Sequence, residues 1–344
     1  MDRSVPIAPS LGPELELAHV DPAPPVDGRV LYTSGIALVL GVAAAFVAEA
    51  LTRLIAIVTN LSFYGQWSFA PSSPAHHHLG LFVIVPPMVG GLVVGLMARF
   101  GSAAIRGHGI PEAMEQVLTN RSRIPPRLTI LKPVSAAIAI GTGGPFGAEG
   151  PIIATGGALG SLVGQAITVT SVERKILLAA GAAAGMAATF GTPVAGVLLA
   201  VELLLFEFRA RSAIPVALAT STATAVRLAF HGSAPVFAMP VVPQPDGLAI
   251  AAYIALGAFM GLVGVAVTRA VFAVEDAFEH LPLHWMWWPI IGGLAVGLVG
   301  YVEPATLGVG YENIEQILQG LISWKGLLLL GTLKFVSWSL ALGS

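Results

Sequence analysis

Gly141-Thr142-Gly143-Gly144-Pro145-Phe146-Gly147-Ala148-Glu149-Gly150-Pro151 places one acidic side chain in a glycine-rich loop between two apolar segments. A charge inside a bilayer costs about 3 kcal/mol on insertion scales, so an intramembrane Glu is a functional hypothesis by default. The loop runs into the apolar stretch 151–167, whose start offers unpaired backbone N–H groups and the positive end of a helix dipole. Such an end attracts anions. Glu149 stands where an anion would stand, and the simplest reading is that the two compete for one place. The alternative is a structural ion pair or a cap.

The surrounding sequence is that of a membrane protein. The chain is 55% hydrophobic and 10% charged over 344 residues, with apolar runs near the roughly 20 residues a helix needs to cross a bilayer. These runs fall at about 31–60, 80–99, 127–140, 150–167, 175–189, 192–208, 213–230, 247–272, 286–301 and 325–342. The fold class expected is all-α and polytopic. Several runs are too short to span alone and are broken by Gly and Pro, which points to discontinuous helices lining a transport pathway. Net charge is −2, which gives no reason to expect a nucleic-acid partner, and the absence of cysteine excludes disulfides and thiolate metal sites. Residues 1–28 carry several acids and prolines without the order of a signal peptide and read as a polar tail.

Orientation follows from charge. Arg99, Arg106, Arg121, Arg123, Arg127 and Lys132 gather around neighbouring loops, so the positive-inside rule makes the 99–132 region and the N-terminus cytoplasmic and turns the His76-His77-His78 loop outward.

An internal repeat is legible in the chain itself. Pro87-Met88-Val89-Gly90-Gly91-Leu92-Val93-Val94-Gly95-Leu96 recurs as Pro289-Ile290-Ile291-Gly292-Gly293-Leu294-Ala295-Val296-Gly297-Leu298, and Glu115-Gln116-Val117-Leu118 recurs as Glu315-Gln316-Ile317-Leu318. Gly107-His108-Gly109 matches Gly308-Val309-Gly310, and Leu131-Lys132-Pro133-Val134-Ser135 matches Leu333-Lys334-Phe335-Val336-Ser337. Repeated halves with broken helices are the signature of transporters that bind substrate between the repeats. The expected organisation is a tail (1–28), a first membrane repeat (29–230) and a second (231–344). Gly141-Thr142 aligns with Gly343-Ser344, so the second repeat is expected to be incomplete and half of its site missing.

Three ordered segments, Gly107-His108-Gly109-Ile110-Pro111-Glu112, Gly147-Ala148-Glu149-Gly150-Pro151 and Gly191 through Glu202, together resemble the CLC family of chloride channels and chloride/proton antiporters over roughly residues 31–344. The resemblance implies an inverted-topology repeat and a homodimer of two independent pores in a bilayer, with chloride as the ion and the Glu of G-x-E-G-P as the external gate, a role that falls on Glu149. It also implies anion contacts around His108, Gly109, Ile110, Gly147 and Gly150. Chloride is weakly hydrated and can be held by N–H groups at helix ends without a full positive charge that would trap it.

Two departures from the family pattern matter. His108 stands where a hydroxyl is usual, and it is either an anion contact, with an N–H that can donate, or a structural hydrogen bonder. Leu203 follows Glu202 where antiporters commonly carry a second Glu for proton transfer. An aliphatic side chain cannot relay protons, and the family's channels also carry one there, so the resemblance implies passive conduction, of the family's voltage-gated channel type, over an antiporter. Glu202 remains a proton-pathway candidate or a buried structural acid. The expected setting is a bacterial inner membrane, with no cofactor and no enzymatic activity, since no nucleophile–base pair or metal cluster stands out. A reading from another class is a non-conducting truncated membrane subunit with a structural or interaction role. His76, His77 and His78 are poorly placed to share a metal, Trp285, Trp287 and Trp288 read as an interfacial aromatic belt, and Gly181-Ala182-Ala183-Ala184-Gly185 reads as a surface for close helix packing.

Overall fold

A computed structural model describes residues 28–107, 109–242 and 244–344. The apolar runs become ten of the twelve α-helices among the described residues. They are α1 (Gly28–Thr59), α2 (Val85–Leu96), α3 (Ile110–Thr119), α4 (Leu128–Gly141), α5 (Glu149–Ala166), α6 (Ser171–Phe190), α7 (Pro193–Leu199), α8 (Ala210–His231), α9 (Gly247–Glu279), α10 (Trp288–Val302), α11 (Tyr311–Leu318) and α12 (Trp324–Gly343). No strand occurs among the described residues, and six helical stretches are long and apolar enough to cross a membrane. The chain is an all-α integral membrane protein. The helices α3 and α11 are short and amphipathic, and each follows a glycine pair in positive φ, Gly107 and Gly109 before one, Gly308 and Gly310 before the other.

Residues 1–27 lie outside the described residues, whereas Gly28, expected in the tail, already opens α1.

The repeat seen in the sequence is a two-fold relationship in space. Gly91 on α2 lies against the backbone of Pro289 on α10, and Gly293 on α10 lies against the backbone of Pro87 on α2. Gly90 faces the side chain of Thr142 while Gly292 faces that of Ser344. Gly141, ending α4, meets Val58 of α1, and Gly343, ending α12, meets Val274 of α9. Each pair is a place where no Cβ fits; Gly91 and Gly293 let the two halves approach to backbone contact, and the others allow close packing within each half. The Gly308 N–H donates to the Gly143 carbonyl at 2.9 Å and ties the glycine-rich loop to the other repeat.

The tightest core lies in the first repeat. Ala179, Ala180, Ala182, Ala183 and Ala184 of α6 are fully buried, and Gly156 and Gly181 meet with their backbones in contact. The small-residue run is therefore a packing surface, as its composition indicated. Thr170 caps α6 by accepting from the Glu173 N–H, while Glu173 accepts from the Thr170 N–H and pairs with Arg29 at 2.6 Å.

Candidate functional site

The loop and helix starts singled out in the sequence converge. Gly109, immediately before α3, has φ +95, and a Cβ added to it would lie 2.7 Å from the Cα of Gly150 near the start of α5. Two helix N-termini thus meet backbone to backbone. Since the first N–H groups of a helix have no intrahelical partner, the meeting point concentrates donors and positive dipole ends in one place. Beside it opens a cavity of about 690 Å³ whose walls include Arg106, Gly107, Gly109, Lys132, Gly147, Glu149 and Gly150.

Glu149 is the first residue of α5, and its carboxylate folds back over Gly147, where a Cβ would collide with it. It is half-buried and makes neither an ion pair nor a hydrogen bond with a described residue. The structural-pair and cap alternatives therefore find no partner here. The carboxylate thus lies at the start of α5 beside Gly147, with no group among the described residues holding it.

Gly109, Gly147, Glu149 and Gly150 are brought together at the cavity. Ile110 is not on the cavity wall; its side chain packs against the buried core, leaving its backbone as the part nearest the site. His108 lies outside the described residues. Glu202 is exposed on the isolated chain and does not line the cavity, so the expectation of a buried acid is not met. The reason is local: a π-helical turn over Ala200–Leu205 turns Leu204 and Leu205 into the core and Glu202 away from it.

Several site residues were not singled out from sequence. Glu112 accepts the Gly109 N–H, so that donor is already occupied by a carboxylate rather than left for an anion. Lys132 lies 3.7 Å from the same carboxylate and donates to the Gly107 carbonyl at 3.4 Å. Its repeat partner Lys334 donates to the Thr306 and Gly308 carbonyls at 3.0 and 3.1 Å. Each repeat therefore holds one lysine behind the glycine loop that feeds its short helix. The matching positions of Lys132 and Lys334 in the repeat were the available signal. Trp285 was assigned to an interfacial belt, but it lines the cavity with the Arg106 guanidinium 4.6 Å from its ring centre, because the 3₁₀ turn Trp285–Trp287 folds it under α2. His76 is taken up by Glu312 at 3.0 Å, and no group of three metal-ligating side chains occurs among the described residues.

Comparisons with known proteins agree with this geometry. The family model described as voltage gated chloride channel matches residues 89–344. A putative chloride channel protein ClcB-like of Ralstonia nicotianae is 26% identical over 265 residues, which are 76% of this chain and 62% of that one. The H(+)/Cl(-) exchange transporter ClcA of Salmonella paratyphi A is 31% identical over 256 residues, 69% of this chain and 53% of that one. The chain thus spans less than two thirds of the length of these relatives. In structure it is similar to a slow cyanobacterial Cl-/H+ antiporter, with a TM-score of 0.80 at 22% identity, covering 93% of this chain and 74% of that one. With the matched stretch including the Glu149 loop and the lysines of both repeats, the chain belongs to the CLC family.

Proposed function

We propose that this chain builds a chloride pathway across a membrane, with Glu149 as its gate and passive conduction as its mode. The observation that carries the reading is the contact between Gly109 and Gly150, which sets two helix N-termini beside a carboxylate with no partner among the described residues, at the wall of a large cavity. When Glu149 is ionised it occupies the place of the anion; when it is protonated the donors pass to chloride. Leu203 supports passive conduction, since it is partly buried against apolar neighbours and offers no proton acceptor. Proton-coupled exchange is the second reading, favoured by the names of the Salmonella relative and the cyanobacterial structure. The protein is proposed to work as a homodimer in a bacterial inner membrane, with the N-terminus and the 99–132 loops cytoplasmic, needing no cofactor and catalysing no reaction.

Chloride efflux from liposomes tests both parts. Efflux that needs a potassium ionophore but no proton ionophore is expected. Absence of chloride-selective efflux refutes the transport reading, whereas a chloride gradient that drives protons uphill at a fixed ratio replaces passive conduction with exchange.

A further inference from the structure

A second cavity, of about 150 Å³, lies apart from the helix-end site, between α1, α6 and α8. Its position across the membrane follows from the long helices. Arg29 at the start of α1 pairs with Glu173 at the start of α6, and Arg174 donates to the Arg121 carbonyl, so these starts share one face with the arginine-rich loop. The cavity residue Glu49 lies roughly 30 Å further along α1 at the helical rise per residue. Thr189 and His231, also on its wall, stand at the far ends of α6 and α8. The cavity therefore belongs to the opposite face of the membrane.

Its charges do not cancel. Glu49 has both oxygens engaged, one with Arg53 Nε at 2.7 Å and the other with His231 Nε2 at 2.8 Å. Arg227 forms no ion pair or hydrogen bond with a described residue; its guanidinium lies over Gly191, where a Cβ would sit 3.4 Å from Nη1. Tyr311, also on the wall, has a buried hydroxyl with no partner among the described residues. Arg53 and His231 thus take up the Glu49 carboxylate, and the Arg227 guanidinium on the cavity wall is left without a carboxylate partner among the described residues. An unpaired guanidinium at the wall of a small cavity, near an unused O–H donor, is matched by an anion. The volume is far below the usual size of pockets for drug-sized ligands, which leaves a small monovalent anion.

Tyr311 also connects the cavity to the gate. Its hydroxyl is pushed well above the ordinary phenol range, first by burial and second by the Glu149 carboxylate, so the two groups lie within electrostatic reach.

We infer that the cavity walled by Arg227 and Tyr311 is a second anion site, taking a halide on the side of Glu149 that faces away from the arginine-rich loops. Only the link to Glu149 rests on the proposed chloride pathway; the site itself does not.

Bromide soaked into crystals of the full chain and located by anomalous scattering tests it. A peak beside the Arg227 guanidinium is expected in the parent and in Arg227→Lys, and absent in Arg227→Gln. Tyr311→Phe is expected to weaken chloride binding by roughly tenfold, the effect of about 1.4 kcal/mol. A parent with bromide at Gly109 and Gly150 but none at Arg227 overturns the inference, as does a crystal with bromide at neither place or an Arg227→Gln variant that keeps the peak. Bromide at Arg227 with an empty helix-end site supports the inference and instead counts against the chloride pathway. Because the parent and Arg227→Lys crystals are read independently, failure of Arg227→Gln to fold leaves the test decisive.

Discussion

The Glu112 carboxylate accepts the backbone N–H of Gly109 while facing Lys132 at 3.7 Å. One acid thus both caps α3 and pairs with a cation on the wall of the same cavity. Glu112→Ala should free the Gly109 donor and leave Lys132 without a carboxylate, tightening chloride binding by roughly tenfold, about 1.4 kcal/mol. The lost cap should cost about 1 kcal/mol of stability. Calorimetry of chloride binding checks the first effect and thermal melting the second. Glu112→Gln, which keeps a neutral acceptor, is expected to lie between parent and Glu112→Ala.

Gly109→Ala should be far more harmful than its size suggests. Gly109 has φ +95 and its missing Cβ would press on the Gly150 backbone, so the alanine must separate two helix N-termini. A loss of at least about 1.4 kcal/mol in anion binding, or tenfold in affinity, is expected. Calorimetric affinity and liposome efflux read it, and a variant equal to the parent would mean that the contact does not shape the site.

Glu149→Gln should abolish the pH dependence of chloride efflux, because the amide can neither ionise nor compete as an anion. Parent efflux should rise as pH falls and protons remove the competing charge. Efflux at a series of pH values compares the two, and parallel profiles would count against Glu149 as the gate.

The Arg29–Glu173 pair makes stability pH-dependent at the start of α6. The Arg29 hydrogen bond holds the Glu173 carboxyl below the ordinary carboxylate range, burial opposes this, and Thr170 adds to the lowering. A carboxyl depressed in the folded state contributes stability above its unfolded value and loses it as pH falls through the folded one. Glu173→Gln should therefore melt about 2 °C lower than the parent at pH 7, the effect of an ion pair worth roughly 1 kcal/mol or less. The gap should close in acid, well below the ordinary carboxylate range. Melting curves at both ends of that range decide it.

What the sequence determined was local and periodic. Apolar runs marked ten helices, six stretches of them long enough for the minimum length a bilayer demands, and repetition of Gly90-Gly91 at Gly292-Gly293 announced the two halves. Glu149, which lines the larger cavity, was legible as a candidate because a carboxylate between apolar segments needs a reason to be there. Tertiary structure alone decided which helix ends meet. Gly109 meets Gly150, and Arg227 and Tyr311 come to one cavity wall, through the way the helices pack on one another. Glu112 reads in the sequence as an ordinary first-turn acid, yet the turn through Gly107 and Gly109 aims its carboxylate at the N–H that the anion would otherwise use. The placement of Glu202 was likewise invisible, since one π-helical turn rotates every later side chain and no hydrophobic period records that rotation in advance.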